Sequence, residues 1–112
     1  MAIASERVGD VTVAVVPMQE LDASNSADFK RELAPLVNTT TKLVLDLSRL
    51  RFVDSSGLGA FISCLRQLNA KGGDVKLCAM SKQVREVFEL VRMHRIFDIY
   101  PTQGAAVQAF AT

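Results

Sequence analysis

Residues 43–68 read LVLDLSRLRFVDSSGLGAFISCLRQL, and this stretch decides the fold of the chain. Its first part, Leu43–Leu47, is an apolar run interrupted only by Asp46, which is typical of a strand covered on both faces. Its second part has apolar residues at the spacing of one buried helix face. These residues are Leu58, Phe61, Ile62, Leu65 and Leu68. The stretch therefore predicts a strand, a sharp turn and a helix.

The turn between these two elements is Asp54-Ser55-Ser56-Gly57. Asp and Ser are among the best helix N-caps, and the glycine predicts a tight turn of the backbone. Two hydroxyl groups would then lie at the positive end of the helix dipole, which suits a phosphate group. The alternative is a helix cap with no further purpose, and the spacing alone leaves both interpretations open.

The residues before this stretch predict a hairpin and a helix. Valines alternate with small residues over positions 11–16, and Gly9-Asp10 predicts a turn that pairs this strand with residues 3–8. Capping residues at positions 21–26 precede a helical spacing of apolar residues, and Pro35 is expected to end or kink that helix. The apolar positions are Phe29, Leu33, Leu36 and Val37.

The residues after the central helix continue the alternation. Lys71-Gly72-Gly73 predicts the end of that helix, and alternating residues at positions 74–79 predict another strand. Ser81 is expected to cap a third helix and Thr102 a short last one, with an edge strand predicted over Ile96–Tyr100. The apolar faces are Val84, Val87, Phe88 and Val91 in the third helix, and Ala105, Ala106, Val107 and Phe110 in the last.

This alternation indicates the fold class. With right-handed crossover connections, it predicts an α/β fold with a small mixed β-sheet, an N-terminal hairpin and helices packed against the sheet. A chain of 112 residues is long enough for one core, so we expect a single domain over residues 1–112.

The composition argues against several classes of function. Thirteen basic and twelve acidic residues give a net charge of +1, so there is no electrostatic reason to expect nucleic acid or an anionic membrane as partner. Since no apolar run has membrane-spanning length and the N-terminus lacks a signal-peptide core, we expect no membrane insertion and a cytoplasmic location. Cys64 and Cys78 lack metal-ligand spacing and His94 is the one histidine, so we expect buried thiols, no metal and no other cofactor.

The enzyme motifs in this chain are incomplete. Residues 53–57 lack the first glycine of a nucleophile elbow, and His94 lies far along the chain in a basic segment. Gly57-Leu58-Gly59 begins a dinucleotide fingerprint, but Ile62 occupies the position of its third glycine. We therefore expect that the protein is not an enzyme.

A group of basic residues near the third helix is interpreted as a solvated face, with partner docking as the alternative. This group consists of Lys82, Arg85, Arg92 and Arg95.

Several segments resemble the anti-sigma factor antagonists, which are single-domain members of the sulfate-transporter and anti-sigma-antagonist (STAS) group. Residues 52–59 resemble the family signature, Glu20-Leu21-Asp22 its first loop, and Leu43–Leu47 its central strand. The other matches are mostly core pattern. They are Gly72-Gly73, Val84, Phe88, Leu90, Phe97 and Ile99-Tyr100.

The resemblance implies a STAS-like fold and a binding protein without catalytic activity. Unphosphorylated members bind an anti-sigma factor that is also a serine kinase, and this releases the sigma factor. The kinase modifies the serine after the Asp of the signature, which corresponds to Ser55, and a metal-dependent serine phosphatase reverses the modification. A neutral Ser55 hydroxyl is expected to cap the helix within the interface, where a phosphate would be tolerated poorly. The expected partner-binding residues are Asp22, Asp54, Ser55, Ser56, Gly57, Leu58 and Gly59.

Two positions depart from the family pattern. Gln19 stands where a glycine often precedes the first loop, and Val91-Arg92 stand where Thr-Gly often follows the third helix. The change at Gln19 is expected to alter the shape of that loop and the change at Val91-Arg92 the choice of partner, while neither touches Ser55. The alternative function is a non-switching STAS scaffold subunit of a signalling or lipid-transport assembly. The presence of Ser55 within the full signature favours the switching function.

Overall fold

A computed structural model describes residues 2–111, which form seven strands, four α-helices and one 3₁₀ helix. The strands are β1 (Ser5–Val8), β2 (Val11–Val15), β3 (Glu20–Leu21), β4 (Lys42–Asp46), β5 (Phe52–Val53), β6 (Asp74–Cys78) and β7 (Asp98–Tyr100). The helices are α1 (Ser26–Thr39), α2 (Ser55–Ala70), α3 (Lys82–Leu90) and α4 (Gln103–Ala109), with the 3₁₀ helix at Met93–Arg95. The predicted alternation of strands and helices is confirmed. Within residues 2–111, no helix combines the length and the apolarity that crossing a membrane requires.

The main sheet has five strands in the order β1-β2-β4-β6-β7. β1 and β2 pair antiparallel across Gly9-Asp10, where Gly9 has a φ of +65° that favours glycine. The other neighbours pair parallel, and β7 lies at the edge. The sheet is therefore mixed and opens with the predicted hairpin.

Apolar side chains fill the space on both faces of the central strand β4. Leu43 and Leu45 belong to the main core formed with α1, α2 and α3, whereas Val44 belongs to a smaller core on the α4 side. In the main core, one phenylalanine ring from each of α1, α2 and α3 packs against the next. The ring centroids are 5.7 Å apart for Phe29 and Phe61 and 6.0 Å apart for Phe61 and Phe88. The prediction of a strand covered on both faces is confirmed.

A buried lysine joins the sheet to α4 on the smaller face. The side chain of Lys76 in β6 is 10% exposed, and its Nζ lies 2.8 Å from Oδ2 of Asp98 and 3.4 Å from Oδ2 of Asp74. The same Nζ lies 4.7 Å from the ring centroid of Phe110, just past α4. Burial lowers the pKa of Lys76, but the hydrogen bond that its ammonium donates to Asp98 and the nearby negative charges outweigh this, so the pKa is raised above its ordinary value.

Two expectations about element boundaries were wrong, and a third was wrong in one of its two alternatives. Pro35, which was expected to end or kink α1, does not end it: the helix continues to Thr39, and Val37 beyond the proline is still buried in the core. Pro35 itself is exposed, and the core contacts on either side of it offset its missing N–H. Val91 is 49% exposed, because α3 ends at Leu90 and Arg92 then takes a left-handed φ of 62°. The edge strand begins at Asp98 rather than at Ile96.

Candidate functional site

A second, two-stranded sheet joins the two segments that carry the candidate site residues. β3 and β5 pair parallel, with Glu20 opposite Phe52 and Leu21 opposite Val53. The loop after β3 therefore lies beside the start of α2. The pair was missed in the sequence because two residues are too few to show a strand periodicity.

Asp54 holds this arrangement together. It precedes α2 in an extended conformation, and its Oδ1 accepts a hydrogen bond from the N–H of Gly57 over 3.0 Å. Its Oδ2 accepts a second hydrogen bond, over 3.2 Å, from the N–H of Ala23 in the β3–α1 loop. Its own N–H donates to the carbonyl of Leu21 over 3.2 Å. Asp54 is thus both the helix N-cap and the tie between the two segments.

The two serines of the signature begin the helix and do not cap it. Ser55 is the first residue of α2 and its side chain is exposed, whereas Ser56 is half-buried. The expectation that the Ser55 hydroxyl caps the helix was wrong, because Asp54 supplies the cap. The Ser55 hydroxyl therefore lies at the positive end of the helix without being needed for the start of the helix.

Gly57 is required for a reason other than the one expected from the sequence. It lies within the first turn of α2 and has no left-handed φ, so it does not make a tight turn. A Cβ at this position would lie 2.6 Å from the carbonyl oxygen of Leu21 and 2.6 Å from Cγ2 of Val53. The absence of a side chain lets α2 approach the β3–β5 pair.

Asp22 organises the loop next to Asp54. Its Oδ1 accepts hydrogen bonds from the N–H of Ser24 over 2.9 Å and from the Ser24 hydroxyl over 2.5 Å. The N–H of Asp22 donates to Oδ1 of Asn25, whose amide in turn donates to the carbonyl of Glu20. The carboxylate therefore shapes a loop that lies next to the start of α2.

The last two residues of the signature differ in their surroundings. Leu58 is 7% exposed and packs in the main core, so little of it reaches the surface. Gly59 is exposed, and a Cβ there would meet no heavy atom within 4 Å. The structure therefore brings the seven expected residues into one region, with Ser55 and Gly59 as its exposed members on the helix.

The departures from the family pattern have different structural effects. The carbonyl of Gln19 accepts hydrogen bonds from the N–H groups of Arg51 and Phe52, over 2.7 and 3.1 Å, so it helps to align β3 with β5. Arg92 occupies a left-handed conformation that favours glycine. The glycine that the family often has at this position is the signal for this conformation, which Arg92 keeps without it.

The remaining candidate groups are the basic residues near α3, His94 and the two cysteines. Lys82, Arg85, Arg92, His94 and Arg95 are all exposed. Cys64 and Cys78 are buried free thiols, as expected, and burial raises the pKa of each to about 12, with the Asp46 charge contributing for Cys78. No cluster of three or more His, Cys, Asp or Glu side chains within residues 2–111 could hold a metal ion.

Comparison with known proteins places the chain in a family. The profile of the STAS domain matches residues 2–106. The chain belongs to the STAS domain family. BtrV of Bordetella bronchiseptica is 34% identical to this STAS chain over 93 residues, which cover 82% of the chain and 80% of BtrV. The anti-sigma-B factor antagonist of Bacillus subtilis is 27% identical over 89 residues, which cover 80% of the chain and 82% of that protein.

A solved structure agrees with the STAS fold described above. The anti-sigma factor antagonist SpoIIAA, in its unphosphorylated form, superposes with a TM-score of 0.80 and 25% sequence identity. The match covers 98% of this STAS chain and 96% of SpoIIAA. The predicted resemblance to the STAS anti-sigma factor antagonists is confirmed.

Proposed function

We propose that this STAS protein is an anti-sigma factor antagonist and that phosphorylation of Ser55 switches off its binding. Its unphosphorylated form would bind an anti-sigma factor with serine kinase activity and thereby release the sigma factor. A metal-dependent serine phosphatase would restore the binding form. The names of the Bacillus subtilis relative and of SpoIIAA support the first part of this proposal.

The observation that carries the switch is the position of Ser55. Its side chain is exposed at the first residue of α2, while Asp54 makes the capping hydrogen bond to Gly57. The hydroxyl is therefore accessible to a kinase, and modifying it leaves the cap in place. Ser56, the neighbouring hydroxyl, is half-buried. We therefore assign the modification to Ser55.

A phosphate at this position changes the surface more than the fold. It adds roughly −1.5 to −2 charges and three acceptor oxygens at pH 7. The positive end of the helix dipole stabilises part of this charge, so the domain stays folded. Asp54 and the loop carboxylate of Asp22 already make this region acidic. A partner surface that fits a neutral hydroxyl would then face an unpaired negative charge, which weakens binding.

In this role the chain acts as a binding protein and not as an enzyme. The Ser55–Gly59 region and the Asp22 loop would form the contact surface. Four of these residues would mainly shape that surface: the carboxylates of Asp22 and Asp54 accept hydrogen bonds within the fold, Gly57 packs against Leu21 and Leu58 is buried. Specificity for one kinase over another would then depend on the exposed positions.

Phosphorylation in vitro tests the assignment. The serine-kinase anti-sigma factors of the source genome are purified and incubated with ATP and the wild-type protein, and the phosphopeptides are mapped. Ser55→Ala should abolish incorporation by the cognate kinase, whereas the matched control Ser56→Ala should retain it. Incorporation that persists in Ser55→Ala and disappears in Ser56→Ala would overturn the assignment.

A further inference from the structure

Few side chains are exposed in the first turns of α2, where the candidate phosphate acceptor lies. Among residues 55–65 the exposed positions are Ser55 and Gly59, and the same face continues with the half-buried Ile62 and the exposed Arg66. Residues four apart lie on the same face of a helix, about 6 Å apart along its axis. The phosphate-acceptor candidate and the glycine therefore share one face.

The fold does not require a glycine at position 59. A Cβ there would meet no heavy atom within 4 Å, in contrast to Gly57, where it would lie 2.6 Å from the Leu21 carbonyl oxygen. Glycine within a helix is less stable than alanine because it loses more chain entropy on folding. Since Gly59 lies inside α2, the stability of this domain alone would favour alanine at this position.

We propose that Gly59 is the point at which the main chain of the anti-sigma kinase packs directly against α2. This inference rests on the proposed function and adds a specificity-determining residue to it. Without a side chain, the Cα of Gly59 can contact a partner carbonyl closely, as in Cα–H···O contacts at helix interfaces. A side chain at position 59 would hold the partner away from the same helix face that presents Ser55. Gly59 thus sets how closely the kinase approaches the hydroxyl that it modifies.

Stability and binding should respond to Gly59 in opposite directions. The variants Gly59→Ala and Gly59→Gln add volume at the proposed contact in two steps. Gly104 provides the matched control, because it lies in α4, on the opposite side of the sheet, and its Cβ would meet no atom closer than Thr102 Oγ1 at 4.0 Å. The controls are therefore Gly104→Ala and Gly104→Gln.

The experiment measures the Tm of each variant and its Kd for the purified serine-kinase anti-sigma factors of the source genome, together with the initial rate of Ser55 phosphorylation. Gly59→Ala should raise Tm by roughly 4 °C. Its Kd should rise severalfold, and that of Gly59→Gln at least tenfold, with a parallel loss of phosphorylation rate. Both Gly104 variants should bind like the wild type.

Three results would overturn the inference. The first is a Gly59→Gln variant that binds the kinase and is phosphorylated like the wild type. If Ser55→Asp loses binding in the same series, the proposed function still holds. A fall in Tm for Gly59→Ala would show that the fold itself needs the glycine. A wild-type protein that binds none of the kinases and is phosphorylated by none would overturn both the proposed function and this inference.

Discussion

The carboxylate of Asp54 accepts a hydrogen bond from the backbone N–H of Ala23, 31 residues earlier in the chain, over 3.2 Å. Because the other oxygen of Asp54 caps α2 through Gly57, one side chain fixes the β3–α1 loop against the helix N-terminus. The loop that contains Asp22 and the helix face that contains Ser55 are thereby held next to each other. This link makes the stability of the site depend on Asp54.

Removing the Asp54 carboxylate should destabilise the domain. Asp54→Ala loses the helix cap and the tie to Ala23, so we expect a loss of about 1–2 kcal/mol in the free energy of unfolding. Asp54→Asn keeps an oxygen that can accept from Gly57 and should cost less. Urea denaturation of the two variants measures the difference. Equal stabilities for Asp54→Ala and the wild type would show that the cap contributes nothing.

Adding a methyl group at Gly57 should also destabilise the domain. The new Cβ of Gly57→Ala would lie 2.6 Å from the Leu21 carbonyl oxygen, so α2 and the β3–β5 pair must separate. Such overpacking typically costs about 1–3 kcal/mol. Urea denaturation checks this, and a stability at or above that of the wild type would mean that the close approach of α2 to Leu21 is not required.

The sequence predicted the main sheet and its helices well because their signals are long. The run Leu43–Leu47 and the helical spacing that follows it each extend over several apolar residues. The buried positions therefore recur at a spacing that can be recognised in the sequence. The β3–β5 pair has no such signal, although it creates the site by bringing Leu21 next to Val53.

Local chemistry at the site was harder to assign from the sequence. Asp54, Ser55 and Ser56 are all capable caps, and only the backbone geometry shows which one accepts from Gly57. The role of Gly57 was misassigned for a related reason. A glycine looks the same in a sequence whether it serves a turn or a close contact, and the contact here is with a residue 36 positions away.

A glycine at position 92 should stabilise the domain. Arg92 has a φ of 62°, a conformation that costs most L-residues roughly 1–2 kcal/mol. Arg92→Gly removes this cost but adds chain entropy to the unfolded state, so we expect a net gain of about 0.5–1 kcal/mol. Gly72→Ala, at a φ of 79°, is the converse control and should destabilise. Thermal unfolding measures both, and a loss of stability in Arg92→Gly would contradict the prediction.

The contribution of Lys76 to stability should depend on pH. Its pKa is raised in the folded state, because contacts with Asp98 and nearby negative charges outweigh burial, so the folded state binds this proton more tightly than the unfolded state. The stabilisation is then fully present below the ordinary pKa of 10.5 and is lost as the pH rises through the folded-state pKa. The stability difference between the wild type and Lys76→Met should therefore be constant near pH 7–9 and shrink above about pH 10.5. Urea denaturation across this range tests it, and a difference that grows with pH would be the wrong sign.

The central claim is that a charge at Ser55 abolishes binding while the fold is kept. Since Asp54 is the cap, Ser55→Ala should change stability by less than about 0.5 kcal/mol and bind the kinase like the wild type. Ser55→Asp places one charge at the interface and should bind more weakly. The matched variants Ser56→Ala and Ser56→Asp separate a specific effect of position 55 from a general effect of charge at the helix start.

The most direct test is calorimetric titration of the cognate serine-kinase anti-sigma factor with the unphosphorylated protein and with the protein phosphorylated at Ser55. Circular dichroism of both forms serves as the folding control. The account predicts identical spectra and an affinity at least a hundredfold lower for the phosphorylated form, since an unpaired interfacial charge costs several kcal/mol. Equal affinities of the two folded forms would contradict it.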